Sequence, residues 1–430
     1  MYRRDFLIKT SASGLAASTF PNIILAKKDK VYAVALIGTG WWGMNILSTA
    51  IASGTVKTKA LCDVDQNQLD NALAKVKELT GDKPKVYKDY RQLLAKEKFD
   101  IVIIATPDHW HALPAIEALK TGCHVYVEKP IAHTINEGKA MVAAQLKYGK
   151  VVQVGLHRHA APHNKAGIDF LRSGKAGDIK MVRAIIHYNY YDRQPKPDSD
   201  PPSGLDWDMF CGPASKLNYN SGMHPKGFRN YLNFANGTIA DWGVHWFDQI
   251  LWWSEDKHPK TIYSTGGRFH EDRVADVPDW QTATFEFENF TAEWEHRRIG
   301  GGRAEKHNIG VYFYGTKGTF HMGWQDGWTF YPNDRKAQEI HMDHTLHQPD
   351  GQNIPELWDD FINAIKTGNK PAADIENSHY ATNMSLLAMM SYKLGRSFKW
   401  DGKKQTVVND PEAEQLMQRA YRDPWEYPRV

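Results

Sequence analysis

Three side chains in this sequence have the types and spacing needed to move a proton at an alcohol oxygen: Lys129, Asp241 and His245. Asp241 and His245 are four residues apart in DWGVHWFDQILWW, a segment that predicts a helix starting at Asp241. On such a helix the carboxylate and the imidazole share one face. Lys129 follows an apolar run, where its ammonium could stabilise negative charge on a substrate oxygen. Taken singly, a lysine in this position is usually a solvated loop residue and such a histidine is more often a core residue, so the elements that position these residues decide the interpretation.

The sequence GTGWWG at residues 38–43 predicts a dinucleotide-binding turn between an apolar strand (31–37) and a helix. In that context Gly38 makes the turn, Gly40 lets the backbone approach a diphosphate, and Gly43 allows close helix packing. The first turn of the helix then offers free N–H donors to the phosphates. The context of strand, turn and helix makes the motif specific.

Asp63 stands twenty residues after Gly43, at the end of a second predicted strand. An acid at this position accepts a hydrogen bond from a ribose hydroxyl in dinucleotide-binding domains. Val64 and Asp65 follow, with no arginine to receive a 2′-phosphate. The sequence therefore favours NAD, with NADP as the alternative.

Two further polar clusters stand where predicted strands end. The continuous apolar run 99–105 is typical of a strand buried on both faces of a parallel sheet, and it ends in TPDHWH at 106–111. The next predicted strand, 124–127, ends in EKP at 128–130. Strands that alternate with helices at this spacing predict a doubly wound α/β domain over 31–154, with its ligands beyond the carboxyl ends of the strands.

The second part of the chain, 155–400, predicts an α+β domain with a large, mostly antiparallel open sheet. Its open face is expected to pack against another subunit, which predicts a homo-oligomer, either a dimer or a tetramer. The C-terminal segment, 401–430, is expected to be a capping tail, in which 410–430 folds back as a helix. The predicted strands cover 180–190, 281–288, 292–297 and 308–314.

A proline-rich stretch over 193–220 predicts a long irregular insertion in this domain. Long loops in compact domains are either functional or disordered. Two aromatic residues in the stretch, Trp207 and Phe210, indicate that it packs.

The order of GTGWWG, LCDVD, IATPDHWHA and HVYVEKP resembles the Gfo/Idh/MocA oxidoreductases, which include inositol, glucose and other sugar dehydrogenases. The segments VGLHRH, DWGVHWFD and YGTKGTF resemble later landmarks of the same family, so the resemblance covers nearly the whole mature chain. It implies hydride transfer between a secondary alcohol and a nicotinamide cofactor, with a Rossmann domain followed by the α+β domain. It does not specify the substrate.

The resemblance also implies a role for each site residue. His245 would accept the proton, Lys129 would hydrogen-bond the reacting oxygen, and Asp241 would contact the substrate or orient the imidazole. The implied substrate contacts are Arg158, Tyr188, Trp242 and Asp241, while Tyr190 and Tyr191 either line a sugar site or fill the sheet, and His157 and His159 depart from the usual residues. The implied cofactor contacts are Gly38, Gly40, Trp42, Gly43, Asp63, Thr106, Pro107, His109, His111, Glu128 and Lys129.

Composition excludes several classes of partner. The chain has 430 residues and a net charge of +3 with acids and bases interspersed, so no basic stripe points to nucleic acid or an anionic membrane. A small molecule is the expected partner. Neither the three cysteines, Cys62, Cys123 and Cys211, nor the histidine-rich stretch 341–347 has the spacing of a ligand set, and no metal is predicted.

The first thirty residues are typical of a twin-arginine export signal. RRDFLIK precedes a weakly apolar stretch that is too short and too polar to span a membrane, so we expect cleavage after Ala26 and no membrane span in the mature chain. The expected location is periplasmic or extracytoplasmic. Because this route moves folded proteins, we expect the cofactor to be tightly bound and carried inside its site.

Three functions stay open from the sequence. The first is a dehydrogenase of a sugar, glycoside or polyol. The second is a glycosidase that uses NAD transiently, oxidising a ring hydroxyl, eliminating the aglycone and reducing again. The third is a noncatalytic sugar-binding protein on a dehydrogenase fold, against which the presence of Lys129, Asp241 and His245 together argues.

Overall fold

The computed structural model describes residues 30–188, 196–269, 275–300, 304–347 and 351–429. The twin-arginine segment and two of the tyrosines considered above, Tyr190 and Tyr191, lie outside these ranges, so their placement stays a prediction. Within the described ranges, none of the helices combines the length and apolar character required for a membrane span.

The first sheet contains six parallel strands in the order β3-β2-β1-β4-β5-β6, which confirms the predicted doubly wound arrangement. Strand β4 is buried along its whole length, because helices cover both faces of a parallel sheet. The strands are β1 (Tyr32–Ile37), β2 (Val56–Cys62), β3 (Lys85–Tyr87), β4 (Ile101–Ile104), β5 (His124–Val127) and β6 (Val152–Val154). The helices are α1 (Trp41–Ala52), α2 (Gln66–Thr80), α3 (Tyr90–Lys96), α4 (Ala112–Lys120) and α5 (Ile135–Tyr148).

The strand order reverses at β1, which lies between β2 and β4. In an open α/β sheet, ligands bind in the crevice at such a switch point, beyond the carboxyl ends of the strands. The glycine turn follows β1, TPDHWH follows β4 and EKP follows β5. The fold therefore gathers the three predicted motifs at one edge of the sheet.

The second sheet contains ten strands in the order β14-β13-β12-β11-β7-β10-β9-β8-β15-β16. Among its described strands β7 pairs with β10 in parallel, and the other pairs are antiparallel, as predicted. The strands are β7 (Ile179–His187), β8 (Thr261–Gly267), β9 (Trp280–Glu286), β10 (Thr291–Arg297), β11 (Ile309–Gly315), β12 (Gly318–Gly323), β13 (Trp328–Pro332), β14 (Ile340–Met342), β15 (Phe398–Asp401) and β16 (Thr406–Val407). The helices are α6 (Pro162–Arg172), α7 (Trp207–Cys211), α8 (Val244–Ser254), α9 (Ile354–Thr367), α10 (Ile375–Leu394) and α11 (Pro411–Gln415).

The helix that carries the predicted proton acceptor starts differently from the prediction. Helical backbone begins before Asp241, at Gly237 and Thr238, and Ile239–Gly243 then form a π-helical turn before α8, which packs against α10. A π turn spaces its hydrogen bonds by five residues instead of four. The α-helical spacing that would place Asp241 and His245 one above the other is therefore absent.

The prediction of a helical tail is wrong for most of that segment. Within 410–429 only α11 is helical, and the segment after it has no regular structure. It folds back nevertheless, held by an ion pair between Arg419 and Glu137 in α5 at 2.9 Å and by Trp425 against Trp110. Side-chain contacts replace backbone hydrogen bonds here, partly because Pro424 and Pro428 lack an N–H donor.

The proline-rich insertion packs as predicted. Residues 204–235, which we call the bridge segment, contain their own cluster of buried side chains separate from the main core. Trp207 and Phe210 are 6% and 4% exposed and stack on each other. The cluster consists of Leu205, Trp207, Phe210, Cys211, Ala214, Tyr219, Met223, Phe228, Tyr231, Phe234 and Ala235.

Candidate active site

The glycine turn after β1 leaves open space at Gly40. A Cβ at Gly38 would lie 2.6 Å from the carbonyl carbon of Ala105, and one at Gly43 would lie 2.0 Å from the carbonyl oxygen of Gly38, so internal packing requires both glycines. A Cβ at Gly40 would meet no atom within 4 Å. Open space beside the backbone at a helix N-terminus is what a diphosphate needs, so the turn fits a dinucleotide.

A cavity of about 300 Å³ lies along the carboxyl ends of β1, β2, β4 and β5. Its volume is at the lower end of the range for small-molecule sites. Nine of the eleven predicted cofactor residues line it: Gly38, Gly40, Trp42, Gly43, Asp63, Thr106, Pro107, Glu128 and Lys129.

The other two predicted cofactor residues, His109 and His111, do not line the cavity. The His109 ring lies 2.9 Å from the carbonyl oxygen of Phe210, and the His111 ring lies between the carbonyl oxygens of Pro130 and Thr106, at 2.7 and 2.8 Å. Burial lowers the pKa of both imidazoles, to about 3 for His109. Both rings therefore contact backbone carbonyls of neighbouring loops instead of the cavity, and the Phe210 carbonyl also accepts a hydrogen bond from the Trp110 indole N–H at 3.0 Å.

Asp63 follows β2, and hydrogen bonds of its side chain link the end of this strand to the glycine turn. One carboxylate oxygen accepts hydrogen bonds from the Thr39 backbone N–H at 2.7 Å and the Thr39 hydroxyl at 3.1 Å, and the other accepts from the Asp65 N–H at 3.0 Å. Burial raises the pKa of Asp63, while these hydrogen bonds lower it. The side chain also lines the cavity, where a ribose hydroxyl would need an acceptor.

Lys129 lines the cavity and pairs with Asp241, whereas neither Asp241 nor His245 is among the lining residues. The Lys129 ammonium donates to the Asp241 carboxylate at 2.8 Å and to its backbone carbonyl at 2.8 Å. Arg229 of the bridge segment donates to the same carboxylate oxygen at 3.1 Å. Burial alone would raise the pKa of Asp241, but the two cations outweigh burial and hold it well below its usual range. The carboxylate stays ionised, which holds the Lys129 ammonium in place beside the cavity.

His245 lies deeper than this ion pair and is 4% exposed. Its Nδ1 has no hydrogen-bond partner, and its ring packs against Trp324 at 5.1 Å and His157 at 5.6 Å between centroids. Burial, aided by the charges of Lys129 and Arg158, keeps the pKa of His245 well below its ordinary value. The hydrogen bonds of Asp241 go to the two cations, so the predicted contact between carboxylate and imidazole is not formed.

The predicted substrate residues differ in how deeply they are buried. Trp242 packs against Tyr188 at 5.6 Å and against Trp324 at 4.9 Å between ring centroids, which forms an aromatic wall beside His245. Arg158 is buried behind that wall at 1% exposure, with its guanidinium over the Trp324 ring and one nitrogen donating to the Gly323 carbonyl at 2.9 Å. Direct contact of Arg158 with a substrate stays a prediction; in the structure it supports Trp324.

Three residues of the site were not predicted from the sequence. Arg229 reaches Asp241 from the bridge segment, and Trp324 reaches the aromatic wall from the loop after β12. Asp108 lies in TPDHWH and lines the cavity, where burial raises its pKa to about 7 against the opposing charge of Arg229. Of these three residues, only Asp108 could have been found from the sequence, because it stands beside residues already assigned to the cofactor site.

Among the described residues, His307, His321 and Asp326 bring three metal-ligand atoms within 4.8 Å of one another. The two imidazoles stack with centroids 3.7 Å apart at 21°, and Asp326 hydrogen-bonds His307 at 2.8 Å. Stacked rings direct their nitrogen lone pairs along nearly parallel lines, which do not converge on one ion. The group is a pair of stacked histidines, His321 on β12 and His307 before β11, with His307 hydrogen-bonded to Asp326.

Gly40→Val is expected to weaken nucleotide binding by at least about 100-fold, or ~2.8 kcal/mol, without lowering stability. The backbone there is extended (φ −62°, ψ 177°), which valine adopts readily, and the new side chain would enter only the cavity. Isothermal titration with NAD measures the first effect and thermal unfolding of nucleotide-free protein the second. Gly43→Val is the contrasting variant, because it should destabilise the fold itself. Unchanged NAD affinity in Gly40→Val would contradict the assignment of the turn.

Comparison with known proteins places this geometry in a family. Residues 32–156 match the family described as an oxidoreductase family with an NAD-binding Rossmann fold, and residues 186–427 match its C-terminal alpha/beta domain. Among solved structures, a levoglucosan dehydrogenase complexed with NADH and levoglucosan is similar over 86% of this chain and 99% of its own, with a TM-score of 0.68 and 19% identity. An aldose-aldose oxidoreductase from Caulobacter crescentus has the same coverage, with a TM-score of 0.65 and 18% identity.

Curated relatives match a shorter region. A glycosyl hydrolase family 109 protein of Shewanella putrefaciens is 38% identical over 161 residues, which cover 32% of this chain and 35% of that protein. An alpha-N-acetylgalactosaminidase of Shewanella oneidensis is 37% identical over 118 residues, 26% of each chain. The matched region thus spans about a third or less of these relatives. The two family matches, which together cover most of the sequence, show that the chain belongs to the Gfo/Idh/MocA oxidoreductases.

Proposed function

We propose that the protein transfers hydride between a secondary alcohol of a sugar, glycoside or polyol and a tightly held NAD. The observation that carries the proposal is that Lys129, paired with Asp241, lines the same cavity as the glycine turn. Asp63 at the ribose end favours NAD over NADP. The glycine turn, Asp63 and Glu128 would hold the cofactor, which supplies the two-electron acceptor for the hydride.

Three residues of this chain would stabilise the substrate oxygen, accept its proton and position the catalytic lysine. The Lys129 ammonium donates to the alcohol oxygen and stabilises its negative charge as the C–H bond breaks. His245, kept neutral by burial, is free to accept the hydroxyl proton. The ionised Asp241 holds Lys129 in position. The alcohol thus loses a hydride and a proton and becomes a carbonyl.

A second candidate is a redox-neutral glycosidase, favoured by the similarity to glycosyl hydrolase family 109 proteins. In this reaction a ring hydroxyl is oxidised, the neighbouring C–H becomes acidic, the aglycone leaves, water adds, and the carbonyl is reduced again. Electrons return to the substrate, so no external acceptor is consumed. The same Lys129 and His245 would serve both redox steps.

One experiment distinguishes the two candidate functions and tests whether the protein holds its cofactor tightly. Protein purified from the periplasmic fraction is denatured, and the released nucleotide is quantified by absorbance and mass. The holoprotein is then incubated with p-nitrophenyl α-N-acetylgalactosaminide without added acceptor. Release of p-nitrophenol supports the glycosidase, whereas oxidation of free sugars or polyols with reduction of the bound NAD supports the dehydrogenase. Nucleotide stoichiometry near zero, with activity strictly dependent on added NAD, contradicts a tightly held cofactor.

Two further parts of the proposal concern location and assembly. We propose that the chain is exported through the twin-arginine route with its cofactor already bound, and that the open face of the ten-stranded sheet forms a subunit interface. Cell fractionation of an Arg3→Lys, Arg4→Lys variant tests the first part. Light scattering of the purified protein tests the second.

A further inference from the structure

The bridge segment crosses the crevice in which the proposed cofactor lies. On the β2 side, the Gln66 N–H donates to the Gly204 carbonyl at 3.1 Å, and the Asp206 N–H donates to the Val64 carbonyl at 2.9 Å. On the β4 side, the His109 N–H donates to the Phe234 carbonyl at 3.1 Å. Because β2 and β4 flank β1, the two attachments stand on opposite sides of the switch point. The segment therefore covers the crevice.

The segment is held in this position by more than these hydrogen bonds. Its own buried cluster packs its two ends together, so its backbone has a defined shape without help from a ligand. From the tail, Arg422 donates to the Gly212 carbonyl at 3.1 Å and pairs with Asp208 at 2.8 Å. Side chains that the segment directs at the cavity are consequently placed in advance of binding.

Two cations stand on the part of the bridge segment that lines the cavity. Arg229 is paired with Asp241, as described above. Lys226 also lines the cavity, and its ammonium lies 4.6 Å from the centroid of the Trp41 ring. Trp41 is the first residue of α1 and directly follows Gly40. In the part of the chain that the structure describes, no carboxylate lies within salt-bridge distance of Lys226. The exposed lysine thus carries an uncompensated charge beside the helix that follows the glycine turn.

We propose that Lys226 is a binding residue for the cofactor's diphosphate, supplied by the bridge segment across the crevice. The GTGWWG turn contributes backbone N–H groups but no cationic side chain, so a dinucleotide bound there leaves phosphate charge to be neutralised. A lysine ammonium is a compact point charge suited to phosphate oxygens. This contact would also join the cofactor to the bridge segment. The inference rests on the proposed use of a nicotinamide dinucleotide.

The test compares nucleotides with and without phosphate. Lys226→Ala is expected to weaken NAD binding by about 10- to 100-fold, as measured by titration of nucleotide-free protein, while the affinity for adenosine changes by less than about twofold. Lys226→Arg should keep most of the affinity. Raising the ionic strength should weaken NAD binding less in Lys226→Ala than in wild type, because the screened contact is already gone.

Lys216→Ala is the matched control, since Lys216 belongs to the same segment but pairs with Asp208 at the surface. It should bind both ligands as wild type does. NAD affinity unchanged in Lys226→Ala, or an equal loss for NAD and adenosine, would overturn the inference. A wild-type protein that binds no NAD would overturn the proposed function with it. A wild-type protein that binds NAD but releases it rapidly would contradict only the tightly held cofactor, since the affinity ratio between variants could still be measured.

Discussion

Lys129→Ala is expected to lower kcat by about 10²- to 10⁴-fold while the protein keeps its bound nucleotide. The ammonium is the donor that the reacting oxygen would meet at the end of the cavity, and its loss removes stabilisation of negative charge in the transition state. The fold should tolerate the change, because Asp241 keeps its hydrogen bond from Arg229. The partly buried carboxylate, whose side chain is 25% exposed, is then still paired, which avoids the penalty of an isolated charge.

The measurement is single-turnover reduction of the bound cofactor by a verified substrate, followed by absorbance, together with nucleotide released on denaturation. Lys120→Ala provides the control, since Lys120 is an exposed residue at the end of α4. Near-wild-type rates in Lys129→Ala would remove this residue from the mechanism. A variant that has lost its nucleotide would instead assign Lys129 chiefly to cofactor binding.

His245→Ala is expected to lower kcat by a similar factor of about 10²- to 10⁴-fold, because a neutral imidazole is the proposed acceptor of the hydroxyl proton. The wild-type pH profile provides a second readout. Burial and the nearby positive charges hold the pKa of His245 well below its ordinary value near ~6.5. A base with a lowered pKa stays unprotonated over a wider range, so activity should persist below pH ~6.5 and decline only at lower pH.

The control is His347→Ala, which removes an exposed imidazole paired with Glu356 on the surface. Profiles of kcat/KM against pH are recorded for wild type and both variants. An inflection near pH ~6.5 in the wild type that disappears in His245→Ala would show that the imidazole titrates normally and is open to water. Wild-type turnover in His245→Ala would assign proton acceptance to another group, for which Asp108 is a candidate because it lines the cavity and burial raises its pKa to about 7.

The parts of the candidate site whose position in the fold the sequence predicted are local ones. The glycine turn, the acid after β2 and the EKP segment each stand within a few residues of a strand whose apolar character is visible in the sequence. Parallel strands bring their carboxyl ends to one edge, so identifying the strands was enough to place these residues together. His109 and His111 stand in the predicted loop but do not line the cavity, because a residue in that loop can direct its ring either at a ligand or at a backbone carbonyl.

The contacts that complete the site join distant parts of the chain. Lys129 and Asp241 are 112 residues apart, and Arg158 and the Gly323 carbonyl are 165 residues apart. No periodicity in the sequence encodes such pairs. The π turn at Ile239–Gly243 shows the same limit at short range, because its five-residue hydrogen bonds arise from packing of the surrounding elements and not from the spacing of Asp241 and His245.

The sequence by itself determined the fold class, the glycine turn and the strand ends that carry the candidate cofactor residues, since these follow from apolar patterning and backbone sterics over a few residues. Only the tertiary structure decided that Asp241 pairs with Lys129 and Arg229 instead of His245, that Arg158 lies behind Trp324, and that the bridge segment covers the crevice. The physical reason is that side-chain pairing in a buried site depends on which groups packing brings within about 3 Å, and burial then makes each such pairing obligatory.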